Sequence, residues 1–127
     1  MVLLDSSVWV LVEHGRIALR DVIAPDETIA TCPVIMSEVL RGTRGPRQYR
    51  IARALLMSAE MLDAPTPLER FEEAAQSYLA CRDAGVTPSS VDCLVAVCAI
   101  AKGATLLHRD SDFDHIARVL PLKAVRV

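Results

Sequence analysis

One stretch of this chain, residues 89–114, limits the possible folds more than any other part of the sequence. Its first half has the apolar spacing of a helix with one long buried face, which starts at Ser89 and is closed by Gly103. Residues 104–107 then form a short apolar run, typical of a buried parallel strand. Three acids follow where that strand ends: Asp110, Asp112 and Asp114. Because the binding and active sites of open parallel sheets lie outside the carboxyl ends of the strands, these acids are candidates for a functional site.

Short apolar runs alternate with helical patterns through the rest of the chain. The predicted strands are residues 2–4, 28–31, 61–62, 104–107 and 123–127. Besides residues 89–103, the predicted helices are one capped by Ser6 or Ser7, a short one around residues 17–23, one from Pro33 to Gly42 and one that starts at Pro46. We expect Trp9, in the first helix, to lie in the core. The alternation predicts an α/β fold with a parallel sheet.

A further helix is predicted between residue 66 and Gly85. Residues 66–69 read Thr-Pro-Leu-Glu, the pattern of a capping box with proline at the first helical position. The helix that follows aligns one apolar stripe, made of Leu68, Phe71, Ala75, Tyr78 and Leu79.

Length and charge limit what the chain can be. At 127 residues it is long enough for a substantial core, and we treat residues 1–127 as a single domain. A net charge of −2 argues against a general nucleic-acid binder held by bulk electrostatics, so any nucleic-acid contact must be local. Hydrophobic residues make up 52% of the chain, which would leave apolar surface for a partner.

The cysteines and the apolar runs indicate the cellular compartment in which the protein would be found. Cys32, Cys81, Cys93 and Cys98 form no CxxC pair and show no zinc-ligand spacing. We expect them to be buried free thiols in a reducing environment. No basic leader precedes the first strand, and the longest apolar run, residues 93–101, is too short to span a membrane. We therefore expect a cytoplasmic protein.

Each acid of the candidate site has an ordinary explanation when it is taken alone. Asp5 could cap the first helix, and Asp92 could be the acidic half of a capping box that starts at Ser89. Glu38 could be a solvated residue that pairs with Arg41. The acids from residue 110 to residue 114 could form a polar turn before the last helix.

Taken together, the acids predict a metal site. Asp5 and Asp110 follow two strands that a parallel sheet would place side by side, and Asp92 and Glu38 lie on helices that would pack at the same end. Carboxylates gathered in one pocket repel each other, and a divalent ion removes that repulsion. An oxygen-only donor set without paired His or Cys favours Mg²⁺ or Mn²⁺ over zinc.

Four short motifs carry these acids. Residues 2–7 read VLLDSS, residues 37–42 SEVLRG, residues 92–96 DCLVA and residues 108–113 HRDSDF. In order and spacing they resemble the motifs of the PIN-domain ribonucleases, and within that family the VapC-type toxins of bacterial toxin–antitoxin pairs. Each motif is weak alone, whereas four in this order are specific, and the resemblance covers the whole chain.

The resemblance implies a fold, an activity and partners. The fold would be a three-layer α/β/α arrangement around a central parallel sheet of four or five short strands. The activity would be Mg²⁺- or Mn²⁺-dependent endoribonuclease cleavage that leaves a 5′-phosphate and a 3′-hydroxyl. The implied partners are an RNA substrate, a cognate VapB-type antitoxin and a second copy of the chain in a homodimer.

The same resemblance assigns the site residues. The implied catalytic residues are Asp5, Glu38, Asp92, Asp110 and Asp112. Asp5 and Asp92 would be the main metal ligands, and Asp110 and Asp112 would complete the site directly or through water. Glu38 would hold a water or a second ion.

His108 departs from the family pattern, since it stands where the family usually has Thr or Ser. That hydroxyl is thought to order the acidic site, so His108 could alter how water or metal is positioned. It could also reach phosphate or act as an acid or base, although we favour a structural role. We expect His14 and His115 to be surface or core residues rather than ligands.

A run of arginines without any acid follows Glu38. Arg41, Arg44, Arg47, Arg50 and Arg53 make up the run. The first four are candidates to hold backbone phosphates on either side of the cut, and a solvated helix face is the alternative.

Three other interpretations of the sequence compete with the nuclease hypothesis. A response-regulator receiver needs an acidic pair after its first strand and a Lys after its last core strand, but Ser6 and Ser7 follow Asp5 here, and Arg109 and Asp110 stand where the Lys would be. A haloacid-dehalogenase-type phosphatase needs an Asp at the position of Ser7. A catalytically silent RNA- or protein-binding module with the same fold is the more serious alternative, and a metal-binding titration would separate it from the enzyme.

Overall fold

The computed structural model describes all 127 residues and contains five strands and six α-helices. The strands are β1 (Val2–Leu4), β2 (Ile29–Thr31), β3 (Glu60–Met61), β4 (Thr105–His108) and β5 (Ala124–Arg126). The helices are α1 (Ser6–Glu13), α2 (Pro33–Arg41), α3 (Pro46–Met57), α4 (Leu68–Asp83), α5 (Ser90–Lys102) and α6 (Ser111–Ile116).

All five strands lie in one parallel sheet in the order β3-β2-β1-β4-β5. Leu3 of β1 pairs with Ala30 of β2 on one side and with Leu106 of β4 on the other. The chain builds outward from β1 to β3, then crosses to β4 and continues outward to β5. The direction in which successive strands are added to the sheet therefore changes between β1 and β4. An open parallel sheet forms its ligand crevice at the carboxyl ends of two strands related in this way.

Helices cover both faces of the sheet, which confirms the expected α/β/α fold. Since crossovers between parallel strands are right-handed, this strand order places α1, α2 and α3 on one face and α4, α5 and α6 on the other. Leu3, Leu4 and Leu106 are completely buried, as strands covered on both faces must be. Trp9 is also in the core, with 1% of its surface exposed.

Helix α5 forms as its sequence predicts. Ser89 is its N-cap, and the Ser89 Oγ accepts a hydrogen bond from the backbone N–H of Asp92 at 3.0 Å. Gly103 ends the helix with a φ of +64°, a left-handed conformation that side chains other than glycine rarely adopt. The capping therefore fixes Asp92 in the first turn, at the carboxyl-end edge of the sheet.

The prediction of a capping box at the start of α4 is wrong. Thr66 Oγ1 donates a hydrogen bond to the backbone oxygen of Asp63 instead, and Pro67 occupies the N-cap position without a side-chain cap. The apolar stripe that we expected is largely exposed: 76% of Leu68, 51% of Phe71 and 46% of Leu79 face solvent. The buried residues of α4 are Arg70, Ala74, Ser77 and Cys81.

Arg70, on the buried face of α4, takes part in a buried ion pair. Arg70 Nε lies 2.8 Å from Asp63 Oδ2, and its Nη1 lies 2.8 Å from Glu73. Lys102 of α5 approaches the other oxygen of Asp63 at 3.5 Å. Asp63 follows β3 with a φ of +51°. The pairing attaches α4 and α5 to the end of β3.

Two smaller expectations also need correction. The helix expected around residues 17–23 is only one 3₁₀ turn, Leu19–Asp21. The N-cap of α1 is not Ser6 or Ser7 but Asp5, which is the ordinary role that the sequence allowed for this acid. The four cysteines are buried and free, as expected.

None of the helices combines the length and the apolar character that a membrane crossing requires.

Candidate active site

Asp5 lies at the junction of β1 and α1 with only 4% of its surface exposed. Its backbone N–H donates to Leu107 O at 3.0 Å, so β1 and β4 are still paired at this point. Its Oδ2 accepts hydrogen bonds from the backbone N–H of Ser7 at 3.1 Å and from Ser7 Oγ at 2.6 Å. Asp5 thus caps α1 with one oxygen, and Oδ1 remains without a hydrogen bond inside the protein.

Ser7 connects the two strand ends. While its hydroxyl donates to Asp5, its Oγ accepts the backbone N–H of Arg109 at 3.1 Å. The turn after β4 is therefore attached directly to the first acid. The sequence indicated Ser7 only as a possible cap, because a contact between residues this far apart in the chain leaves no local signal.

Three carboxylates from α5 and α6 form what we call the acidic cluster: Asp92, Asp110 and Asp112. One oxygen of each lies within 4.8 Å of the others. Asp110 is the N-cap of α6, and its Oδ1 accepts the backbone N–H of Asp112 at 2.9 Å. Asp92 enters from the first turn of α5. Two helix starts thus direct three acids to one point.

The electrostatics of the acidic cluster are unfavourable without a cation. Burial, the hydrogen bond to Asp112 and the nearby charges of Asp110 and Asp112 together raise the pKa of Asp92 to about 7. The backbone N–H groups at the start of α5 favour a negative charge, but they do not offset these effects. Close carboxylate oxygens with one elevated pKa fit a hard divalent cation, which would replace the proton.

A pocket of about 300 Å³ brings the acids of the four motifs together. Its acidic lining residues are Asp5, Glu38, Asp92 and Asp110. Glu38 enters from α2, and its pKa is raised mainly by burial and further by the charge of Asp5, against a hydrogen bond from Ser6. Asp112 belongs to the acidic cluster but is absent from this pocket lining, and it lines a neighbouring cleft with His115 and Thr87.

The histidines and arginines are placed differently. His108 is completely buried, whereas His14 and His115 are exposed. Arg41 lines the acidic pocket beside Glu38. The remaining candidates of the run lie exposed between α2 and the middle of α3: Arg44, Arg47 and Arg50. Only Arg41 therefore reaches the pocket itself.

A second, apolar groove of about 520 Å³ lies between α4 and α5. Phe71, Tyr78 and Leu79 line it from α4, and Val91 and Leu94 line it from α5. It contains no acid and no basic residue, so it has no means of catalysing a hydrolysis. The acidic pocket is therefore the stronger candidate for an active site.

Comparison with known proteins identifies a family for the chain. A family model described as the PIN domain matches residues 2–119. Two curated proteins, VapC ribonuclease Mb1587 of Mycobacterium bovis and Ribonuclease VapC11 of Mycobacterium tuberculosis, are each 37% identical over 98% of this chain and 97% of their own length.

Solved structures share the fold at lower identity. VapBC2 from Rickettsia felis, bound to a promoter DNA fragment, has a TM-score of 0.80 at 19% identity, covering 99% of this chain and 98% of the other. DNA-bound VapBC from Salmonella typhimurium has a TM-score of 0.82 at 13% identity with the same coverage. At these identities the likeness shows the fold alone.

Proposed function

The chain belongs to the PIN domain family, and from that membership together with the acidic pocket we propose that it is an endoribonuclease that hydrolyses RNA phosphodiester bonds. The observation that carries the proposal is the convergence of acids from four separate elements on the crevice between β1 and β4. The curated relatives that cover nearly the whole chain are named as ribonucleases, which supports the same activity.

The cofactor in this proposal is Mg²⁺ or Mn²⁺. The acidic cluster and Asp5 would hold it through carboxylate oxygens, which are the ligands that these ions prefer. Oδ1 of Asp5 is available for this role, because both bonds from Ser7 go to Oδ2. A bound divalent ion activates water and stabilises the charge that develops on the attacked phosphate and its leaving oxygen.

The side chains of the pocket then have distinct tasks. Asp92, Asp110 and Asp112 provide negative charge at a fixed point, and the two helix starts hold that point rigid. Glu38, with its raised pKa, is suited to hold and orient a water beside them. In-line attack would leave a 5′-phosphate and a 3′-hydroxyl, as the family resemblance implies.

RNA must approach a pocket that repels it. Arg41 lies in the pocket lining and would contact the phosphate next to the cut. Arg44 in the loop after α2, with Arg47 and Arg50 on α3, extends the positive charge beyond the pocket lining, and these residues would hold the flanking backbone. A local contact of this kind is compatible with the net charge of −2.

A cleavage assay with matched variants tests the activity. Asp5→Asn keeps an N-cap, because Asn caps helices as well as Asp, so the fold should be retained. Cleavage of total RNA in Mg²⁺ or Mn²⁺ should fall by more than about 100-fold in this variant, since loss of a ligand should exceed the 10–100-fold cost of losing an outer-shell group. Asp26→Asn, at an exposed position in the loop before β2, is the matched control and should cleave normally.

Chelation provides the decisive negative result. Added EDTA should abolish cleavage, and Mg²⁺ or Mn²⁺ should restore it. Full activity in EDTA would refute the proposal. A silent binding module would show neither cleavage nor thermal stabilisation by the two ions. Sequencing of the RNA ends that appear when the protein is expressed alone would identify the substrate.

We further propose that the protein is the toxin of a type II toxin–antitoxin pair, that it is cytoplasmic, and that a VapB-type antitoxin blocks its pocket. The names of the curated relatives and the VapBC complexes among the structural neighbours support this assignment. The expected homodimer stays a prediction. The exposed apolar side chains of α4 provide surface that a second copy could bury. Sedimentation of the purified chain, alone and with the antitoxin encoded beside it, tests both partners.

A further inference from the structure

His108 is the last residue of β4 and lies two residues before Asp110, yet none of its surface is exposed. Its ring packs edge-on against Phe113 of α6, with 5.4 Å between the ring centroids and 60° between the planes. A histidine in this position is a polar ring inside an apolar layer. Burial of such a ring is unfavourable unless its nitrogens find partners.

Both ring nitrogens face polar groups. Nδ1 accepts the backbone N–H of Asp110 at 3.2 Å. Nε2 lies 3.3 Å from Asp114 Oδ1, a close approach that falls short of a well-aligned hydrogen bond. Because Nδ1 is an acceptor, the ring proton belongs on Nε2, where the carboxylate of Asp114 faces it.

Asp114 is itself held in place. Arg126 of β5, the residue that pairs with His108 across the sheet, donates to Asp114 Oδ2 from Nη2 at 2.6 Å and from Nε at 3.2 Å. The Arg126 guanidinium holds the pKa of Asp114 below its ordinary value. The carboxylate therefore stays charged and orients the Nε2–H side of the ring.

The hydrogen bond that Nδ1 of His108 accepts helps to hold Asp110 in position. The Asp110 backbone N–H bonds to His108, its Oδ1 accepts from Asp112, and the preceding amide of Arg109 donates to Ser7. These bonds hold the main chain on both sides of the acid and one of its oxygens, and they leave its Oδ2 without a hydrogen bond inside the protein. Loss of the bond to Nδ1 would free the turn at the point where the carboxylate is aimed.

We propose that His108 is a positioning residue that holds Asp110 in the orientation needed to bind the divalent cation, through its Nδ1 and not through its bulk. The inference rests on the proposed function, since it concerns the same acidic cluster. His108 contacts neither RNA nor the ion, because it is buried behind the cluster and is absent from the pocket lining. It acts through the backbone amide of Asp110 alone.

Three variants separate positioning from packing. His108→Asn keeps an acceptor near the position of Nδ1, whereas His108→Gln places its amide one bond farther out, toward Nε2. His108→Met fills the space with no acceptor. All three disturb the packing on Phe113, so each should lose thermal stability. Circular dichroism and thermal unfolding establish which of the variants fold. If the Gln variant does not fold, the Met variant takes its place in the metal titration.

Titration with Mn²⁺ in a calorimeter is the primary measurement. The Asn variant should bind Mn²⁺ within about threefold of the native protein, whereas the Gln or Met variant should bind it about 10- to 100-fold more weakly, the usual cost of losing a partner that orients a ligand. Saturating Mn²⁺ should recover most of the RNA cleavage of the Gln variant, which damage to packing alone would not allow.

Equal Mn²⁺ affinities for the Asn and Gln variants, whether strong or weak, would overturn the inference, since only one of them keeps the acceptor. Native protein that binds Mn²⁺ but cuts no RNA would overturn the proposed function and leave the role of His108 to be decided by the affinities. Native protein that does not bind Mn²⁺ would overturn both.

Discussion

Replacement of Asp92 by Asn should make the metal-free protein more stable while destroying its proposed site. In the native chain the charge on Asp92 is partly buried and faces Asp110 and Asp112 across the acidic cluster. Asn keeps the size of the side chain and removes the charge. The N-cap bond is also kept, because it joins the backbone N–H at residue 92 to Ser89. Relief of the burial penalty on the charge, and of its repulsion by Asp110 and Asp112, is therefore the main change.

The magnitude follows from the pKa of Asp92. Its pKa of about 7 stands against an ordinary value of 3.8. At 1.36 kcal/mol for each unit, the charged form loses about 4 kcal/mol relative to an unperturbed carboxylate. Water reaches part of this carboxylate and screens its repulsion, so we expect a gain in the free energy of unfolding of about 2 kcal/mol. For a chain of this length, that corresponds to a melting temperature about 8 °C higher.

The gain must depend on pH. Below pH 3.8 the carboxyl is protonated in both the folded and the unfolded chain, so the native protein carries no penalty. Between pH 3.8 and about 7 the unfolded chain ionises Asp92 first, and native stability falls as the pH rises. Above that range the full penalty is present. The stability difference between the Asp92→Asn variant and the native protein should therefore grow from about zero near pH 4 to its maximum near pH 8.

Urea unfolding in EDTA at several pH values measures this difference, and Asp26→Asn is the control, since it removes an exposed acid away from the pocket. Mg²⁺ should reverse the order of stability, because it stabilises only the chain that keeps the ligand, by about 2.7 kcal/mol at 100 times the dissociation constant. An Asp92→Asn variant that is no more stable than native at pH 8 in EDTA would refute the reasoning. So would a gain that is the same at every pH.

Three further outcomes are expected. Replacing Arg47 and Arg50 together by Gln should weaken RNA binding and lower the slope of log affinity against log salt by about 1.4; an unchanged slope would remove both from the RNA contact. Arg70→Met should cost about 3 kcal/mol of stability in urea unfolding, because the carboxylate of Asp63 loses its principal buried partner, whereas Arg82→Met, exposed on the same helix, should cost less than about 0.5 kcal/mol. The affinity of the acidic cluster for Mn²⁺ in calorimetry should rise with pH through about 7, since protons compete for Asp92; a flat profile would contradict the raised pKa.

The order of elements could be read from the chain because it depends on local signals. Short apolar runs, the Ser89 cap and Gly103 act within a few residues, and the structure has strands and helices at almost all of the expected places. The helix expected around residues 17–23 is the exception. Only a 3₁₀ turn forms there, because the local sequence pattern in this stretch is weak.

The partners of single side chains could not be read in this way. Thr66 has the spacing of a capping box, but its hydroxyl donates to the backbone oxygen of Asp63 and Pro67 takes the N-cap position. The stripe on α4 has helical spacing, yet the face that packs inward carries Ala74 and Cys81 together with the Arg70 that pairs with Asp63, and Phe71 is left exposed. A pattern of spacing does not show which face finds the better partner.

Local patterns were enough to establish the α/β class, the succession of strands and helices along the chain, and the placing of Asp5 and Asp110 at two strand ends. Long-range packing established that Ser7 joins the ends of β1 and β4 and that His108 is buried behind the turn instead of facing the pocket, and it confirmed that these two strands are neighbours, as the positions of the acids had indicated. The difference between the two is range. Caps and periodicity act between near neighbours, whereas strand order and hydrogen-bond partners are set by which distant segments bury the most surface together.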